Sequence, residues 1–197
     1  MEYSAGMVSR PFWYIETKKT AKYLIEFKDA KEIKEIVITE NIYQAPSEDR
    51  SAQIFNTVVR RLSGLDDFLI DYIVNADIAR SKLIVLLSVM KTDRLFFEFM
   101  YEVFRDKLIL GDFTLKDRDI SNFFDIKKSQ SEVVSKWTDA TITKLKRCYA
   151  RLLFEAGLIN NSSGDRTITP VIMDYKVSSY LKEHNMSALL CAITGEF

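Results

Sequence analysis

Glycine and proline are scarce, at 6 and 3 of 197 residues. So few chain breakers exclude the turn-rich sandwiches and barrels. Histidine occurs once, as His184, and cysteine twice, as Cys148 and Cys191, far apart and outside any CxxC spacing. A structural zinc site and a disulfide framework are thereby excluded, and a reduced, cytoplasmic location is the expectation. An excess of one charge is missing too: 28 Lys+Arg against 28 Asp+Glu leaves a net charge of +0. Any nucleic-acid contact must then come from a local patch rather than from a whole-molecule field. The longest strongly apolar run, residues 83–90, falls far short of the roughly 20 residues that a membrane-spanning helix needs. It reads as a buried core helix, and no membrane partner is expected. Residues 1–10 hold no apolar stretch of the signal-peptide kind. There is no Gly-rich phosphate loop, no paired histidine and no nucleophile elbow. The chain therefore reads as a binding protein rather than an enzyme, with no cofactor, no metal and no small-molecule substrate.

What the chain does have is apolar bulk, 47% of residues with 13 Phe and 9 Tyr, enough to bury a core. The apolar residues recur at helical spacing. A first helix is predicted from Pro11, with Phe12, Ile15, Leu24 and Phe27 on its apolar side. A second covers about residues 29–40. Ser47 is placed to cap a third, with Ile54, Phe55, Val58 and Leu62 as its buried stripe and Gly64 at its end. Helices over 65–75 and 77–90 follow. Thr92 is expected to cap a long helix over 93–110, whose wide apolar arc (Leu95, Phe96, Phe99, Met100, Val103, Phe104, Leu108) marks it as central.

Past Phe113 the texture changes. Thr114-Leu115-Lys116-Asp117 fits a capping box that opens a short helix through about Phe124. Ser129-Gln130-Ser131-Glu132 offers another start, near Val133 and Val134, and Thr138 caps a long helix that ends at Gly157. Residues 158–159 and 166–169 flank a turn-rich loop, a hairpin signal, and two last helices are read over about 174–183 and 187–193. The fold class is all-α: an N-terminal helical bundle over 1–112, and a C-terminal winged-helix-like module over 113–197 with one short β-hairpin.

The order of three helices and a hairpin directs attention to the Thr138 helix, because a reading helix needs an apolar back and a basic front. Lys144, Arg147 and Arg151 stand at i, i+3 and i+7, opposite Leu145, Leu152 and Ala156, with Lys146 to one side. Between residues 127 and 151 seven cations (Lys127, Lys128, Lys136, Lys144, Lys146, Arg147, Arg151) face two anions (Glu132, Asp139), so seven minus two leaves an excess of five. Cations of this kind neutralise phosphates and supply sequence-independent affinity. Arg166, read as near the hairpin tip, is expected at a minor groove. Arg60 and Arg61 are candidates for a second positive surface. A basic helix face is equally ordinary solvated surface, and a winged-helix outline also serves protein–protein contact. Residue pattern alone leaves both open.

The segment from Thr92-Asp93-Arg94-Leu95-Phe96-Phe97-Glu98-Phe99 to Tyr101-Glu102-Val103 carries a resemblance. Leu108-Ile109-Leu110-Gly111-Asp112, Ile120-Ser121-Asn122-Phe123-Phe124 and the stretch from Trp137 through Leu145 to Glu155-Ala156-Gly157-Leu158-Ile159 carry it further. With Glu16-Thr17-Lys18 and Glu32-Ile33-Lys34-Glu35, the chain resembles the BrxA family, the small A component of BREX (bacteriophage exclusion) defence systems. The resemblance implies a bacterial, cytoplasmic, non-enzymatic defence protein. It also implies a likeness to the NusB antitermination fold with helix-turn-helix features. The implied partner is double-stranded DNA. A protein–protein adaptor for other BREX components, or an RNA-binding NusB-like protein, is the alternative.

Overall fold

The computed structural model describes residues 2–27 and 29–196. Local sequence sets the element ends. A short 3-10 turn (Gly6–Ser9) comes first, then helix α1 (Tyr14–Phe27). Helix α2 (Ala30–Thr39) is capped by Asp29, and α3 (Glu48–Leu62) by Ser47, whose hydroxyl accepts from the Arg50 amide at 3.2 Å. Helices α4 (Asp67–Asn75) and α5 (Ile78–Thr92) follow. A long helical run is built of α6 (Arg94–Phe99), a π segment (Met100–Phe104) and α7 (Arg105–Leu110), and it closes on Gly111 in the left-handed region that glycine enters without strain. Next come strand β1 (Thr114–Leu115) and helices α8 (Asp117–Gln130), α9 (Glu132–Ser135) and α10 (Asp139–Ala156). Strand β2 (Arg166–Thr167) and helices α11 (Tyr175–Glu183) and α12 (Ser187–Thr194) complete the order. The all-helical class is thus observed.

The chain divides into two compact units. One, residues 12–92, is a helical bundle in which α1 packs on α3 and α4, α2 on α3, and α5 on α3 and α4. Its α5 carries the apolar run 83–90, every residue of it buried. The other unit joins residues 2–11 to 93–196. In it α12 packs against the π segment and α7, α8 against α9 and α10, and α10 against the 3-10 turn. Residues 93–112, read in sequence as the end of the first bundle, have their packing partners in this second unit. Its core is aromatic: Tyr149 of α10 lies 5.0, 5.2 and 5.4 Å from the rings of Phe96, Phe99 and Phe124.

Four local expectations need correction. The first helix starts at Tyr14 rather than Pro11, because Trp13 takes a positive φ of 51° that no helix accommodates. Ile15 is 62% exposed and Phe27 is exposed too, so neither belongs to the buried side. Thr92 does not cap the central run. Its hydroxyl donates back to Ser88 and Val89, and the Asp93 carboxylate accepts from the Phe96 amide instead. Thr114 and Leu115 are strand, not helix start; α8 begins three residues later, where the Asp119 carboxylate accepts from the Lys116 amide at 2.8 Å.

β1 and β2 run antiparallel, with Thr114 opposite Thr167 and Leu115 opposite Arg166. On the other side of that strand Ile159 bridges Ile168. The expected hairpin is therefore present as an irregular turn, and β2 pairs outward onto a strand from before α8. No helix among the described residues is long and apolar enough to cross a membrane.

Candidate nucleic-acid interface

Helix α10 separates its faces as the spacing demands. Thr138 caps it, accepting from the Thr141 amide at 3.2 Å, and Gly157 stops it in the left-handed region. Leu145, Leu152 and Ala156 are buried, while Lys144, Arg147 and Arg151 stand on the exposed side. Lys144 and Arg147 make no side-chain hydrogen bond or ion pair among the described residues. Arg151 is different: its Nε donates to Glu155 Oε1 at 2.6 Å, an i,i+4 pair that matches its charge locally. Lys146 reaches α8 and donates to Ser121 Oγ at 3.0 Å. Lys128 meets Asp139 across the α8–α10 turn at 3.0 Å.

Three proposed site cations are not on the surface. Lys127 is 4% exposed. Its ammonium meets Glu98 at 2.6 Å and Glu102 at 2.7 Å. Burial pulls Lys127 toward neutrality, but the two carboxylates outweigh it and hold the group above the ordinary lysine range. Burial pushes Glu98 upward in turn, yet bonds from Lys127, Tyr3 and Arg94 win and hold it below the usual glutamate range. Lys127 is a structural counter-ion. Arg61 is 2% exposed, its Nη1 donates to the Phe12 carbonyl at 3.0 Å, and its guanidinium lies 5.9 Å from the Trp13 ring centre. Its neighbour Arg60 is exposed. Arg166 sits not at the hairpin tip but in β2, 4% exposed, with Nη2 against Asp117 Oδ1 at 2.7 Å and the Ser162 carbonyl at 3.3 Å.

Asp117, Ser121 and Thr143, which sequence reasoning missed, lie beside Arg166. Asp117 and Ser121 of α8, Thr143, Lys146 and Arg147 of α10, and Arg166 of β2 line an open pocket of about 290 Å³. Arg147 thus belongs both to this pocket and to the exposed face of α10. Helical spacing could reveal Thr143 with Lys146 and Arg147 on one helix, but not their meeting with a strand that follows them. Among the described residues no group of His, Cys, Asp and Glu could hold a metal ion.

The model of the BrxA family matches residues 1–185. The chain is 42% identical over 194 residues to "BREX protein BrxA" of Bacillus cereus (strain H3081.97), covering 98% of this chain and 97% of that protein. A crystal structure of an uncharacterized protein from Magnetospirillum magneticum matches with a TM-score of 0.81 over 100% of each chain at 22% identity, a likeness of fold alone.

Proposed function

The chain belongs to the BrxA family, and from that premise we propose that it is a component of a BREX-type phage-defence system that acts by binding double-stranded DNA rather than by catalysis. One observation carries the DNA reading: Lys144 and Arg147 stand on the exposed face of a capped helix, one turn apart, with no acceptor among the described residues. Two exposed cations at that spacing suit successive phosphates or base edges along a groove. The helix order supports the same reading. α8, α9 and α10 are followed by a strand that pairs back onto β1, which is the order of a winged helix with α10 as its reading helix.

The test is a duplex titration over a salt series, with single-stranded DNA and RNA of equal length beside it. A steep negative slope of log K against log salt, with each phosphate contact contributing roughly 0.9, is the expected result. A flat slope, or tighter binding of RNA than of duplex, removes the proposal. The second reading is an adaptor for other BREX components. It is favoured by Ile172 and Tyr175, apolar side chains that are 90% and 84% exposed and of the kind that anchor protein partners. Absence of nucleic-acid binding together with loss of a partner on Tyr175→Ala is its expected signature.

A further inference from the structure

We infer that the pocket formed by α8, α10 and β2 is a built seat for one phosphodiester group. The inference rests on the DNA reading above and names the contact that would fix the duplex beside α10. Its ground is Arg166. A guanidinium has five N–H donors. Among the described residues only Nη2 of Arg166 is engaged, by Asp117 and the Ser162 carbonyl. Nε and Nη1 are buried and have no hydrogen-bond partner. A buried cation with unmade hydrogen bonds is costly unless something completes it. Lys127 shows what completion looks like in the same unit, with two carboxylates on one ammonium.

The surroundings of Arg166 say what is missing. The pocket wall holds Arg166, Lys146 and Arg147 against the single carboxylate of Asp117, so three positive charges less one negative leave two in excess. Thr143 of α10 adds a hydroxyl to the wall, while the Ser121 hydroxyl donates to the Asp117 carbonyl at 2.9 Å and accepts from Lys146 at 3.0 Å. Donors drawn from a strand and a helix, two of them guanidinium groups, suit an oxyanion with several acceptor oxygens. Asp117 is 73% exposed in its side chain, so it can swing aside toward solvent and open the guanidinium to the pocket. Its charge also disfavours a dianion, which points to a singly charged diester over a free or terminal phosphate. Arg147 joins the pocket to the exposed face of α10, so a phosphate seated here lies at the margin of the surface that would meet the groove.

The full-length chain is titrated with dimethyl phosphate, with inorganic phosphate and with chloride at matched ionic strength, while the Nε–H resonance of Arg166 is followed by NMR. Dimethyl phosphate is expected to shift that resonance saturably, together with the amides of Ser121 and Thr143, and chloride is not. Because Arg166 is buried and its removal endangers the fold, Lys146→Ala is the variant that reads the site. It should weaken dimethyl phosphate about tenfold, while Lys136→Ala leaves it unchanged. No saturable shift, a shift equalled by chloride, or a response to inorganic phosphate alone overturns the inference. Duplex binding by a chain whose Arg166 stays silent overturns the pocket and spares the DNA reading. A responding pocket in a chain that binds no duplex supports the pocket and removes the DNA reading.

Discussion

The end of α8 around Lys127 and the exposed face of α10 carry the same kind of side chain and use it in opposite ways. At Lys127 a buried ammonium meets Glu98 and Glu102, and Tyr3 and Arg94 complete Glu98 in turn. Every charge there has a partner of opposite sign. Lys144 and Arg147 of α10 have no acceptor among the described residues, and Arg166 of β2 has three N–H donors unused, on Nε and Nη1. A tally of cations along the chain cannot separate these cases. The number of carboxylates within reach of each cation does.

The largest expected effect breaks the comparison at its saturated end. Lys127→Ala strands the Glu98 carboxylate without its main counter-ion, and should destabilise the fold by about 3–5 kcal/mol. Denaturant unfolding measures this. The salt slope of duplex binding should stay as it is below the melting range. A stable variant that has lost DNA would mean that Lys127 faces a ligand after all.

Next comes the unsaturated end. Replacing Lys144, Arg147 and Arg151 together by Ala should flatten the log–log salt slope by about 2 units. The figure is nearer 2 than 3 because Glu155 already holds Arg151. Thermal stability should move by no more than about 0.5 kcal/mol per site, as for other exposed positions. An unchanged slope in the folded triple variant would leave the α10 face as ordinary solvated surface.

Acid distinguishes the two ends more gently. Glu98 titrates below its ordinary value of 4.5 in the fold, so its contribution is complete above that pH. The contribution is lost as pH falls through the lower folded value, since the unfolded chain takes up the proton first. Wild-type protein should therefore lose stability more steeply than Glu98→Gln below about pH 4.5. Parallel acid melts of the two proteins would show that Glu98 contributes nothing there. The smallest effect belongs to Tyr149, whose hydroxyl is buried without a partner. Tyr149→Phe removes that hydroxyl and should raise stability by up to about 1 kcal/mol. A loss of similar size would reveal an acceptor for it.

Much of the fold was legible because helix ends are local. Ser47, Thr138, Gly111 and Gly157 each act within one turn of their own residue, so their type and position suffice to place them. β1 was not legible. It is two residues long, and its partners Arg166 and Thr167 come about fifty residues later. A capping-box pattern over the same residues pointed the other way. The buried cations were legible in principle from spacing. Lys127 stands four residues after Phe123 and three after Phe124, both buried, and Arg61 stands three after Val58 and seven after Ile54. Each lies on the apolar stripe of its own helix. Arg166 shares strand parity with buried Ile168, while Thr167 between them is exposed. The pocket itself was beyond sequence reasoning, since it exists only where β2 returns beside α8 and α10.

The π segment Met100–Phe104 has the character of a length mark in the chain. A wide turn of this kind holds one residue more than an α-helical turn, and each residue of an α-helix advances about 100°. Everything after Phe104 is therefore phased by that surplus residue. In that phase Lys107 reaches Asp112 at 2.7 Å and Asp119 at 3.0 Å, and α12 packs on the wide turn itself. Exchanging one residue for another inside this stretch alters a contact. Deleting one rotates the whole of α7 by more than a quarter turn, so here the protein is far less tolerant of a change in length than of a change in letter.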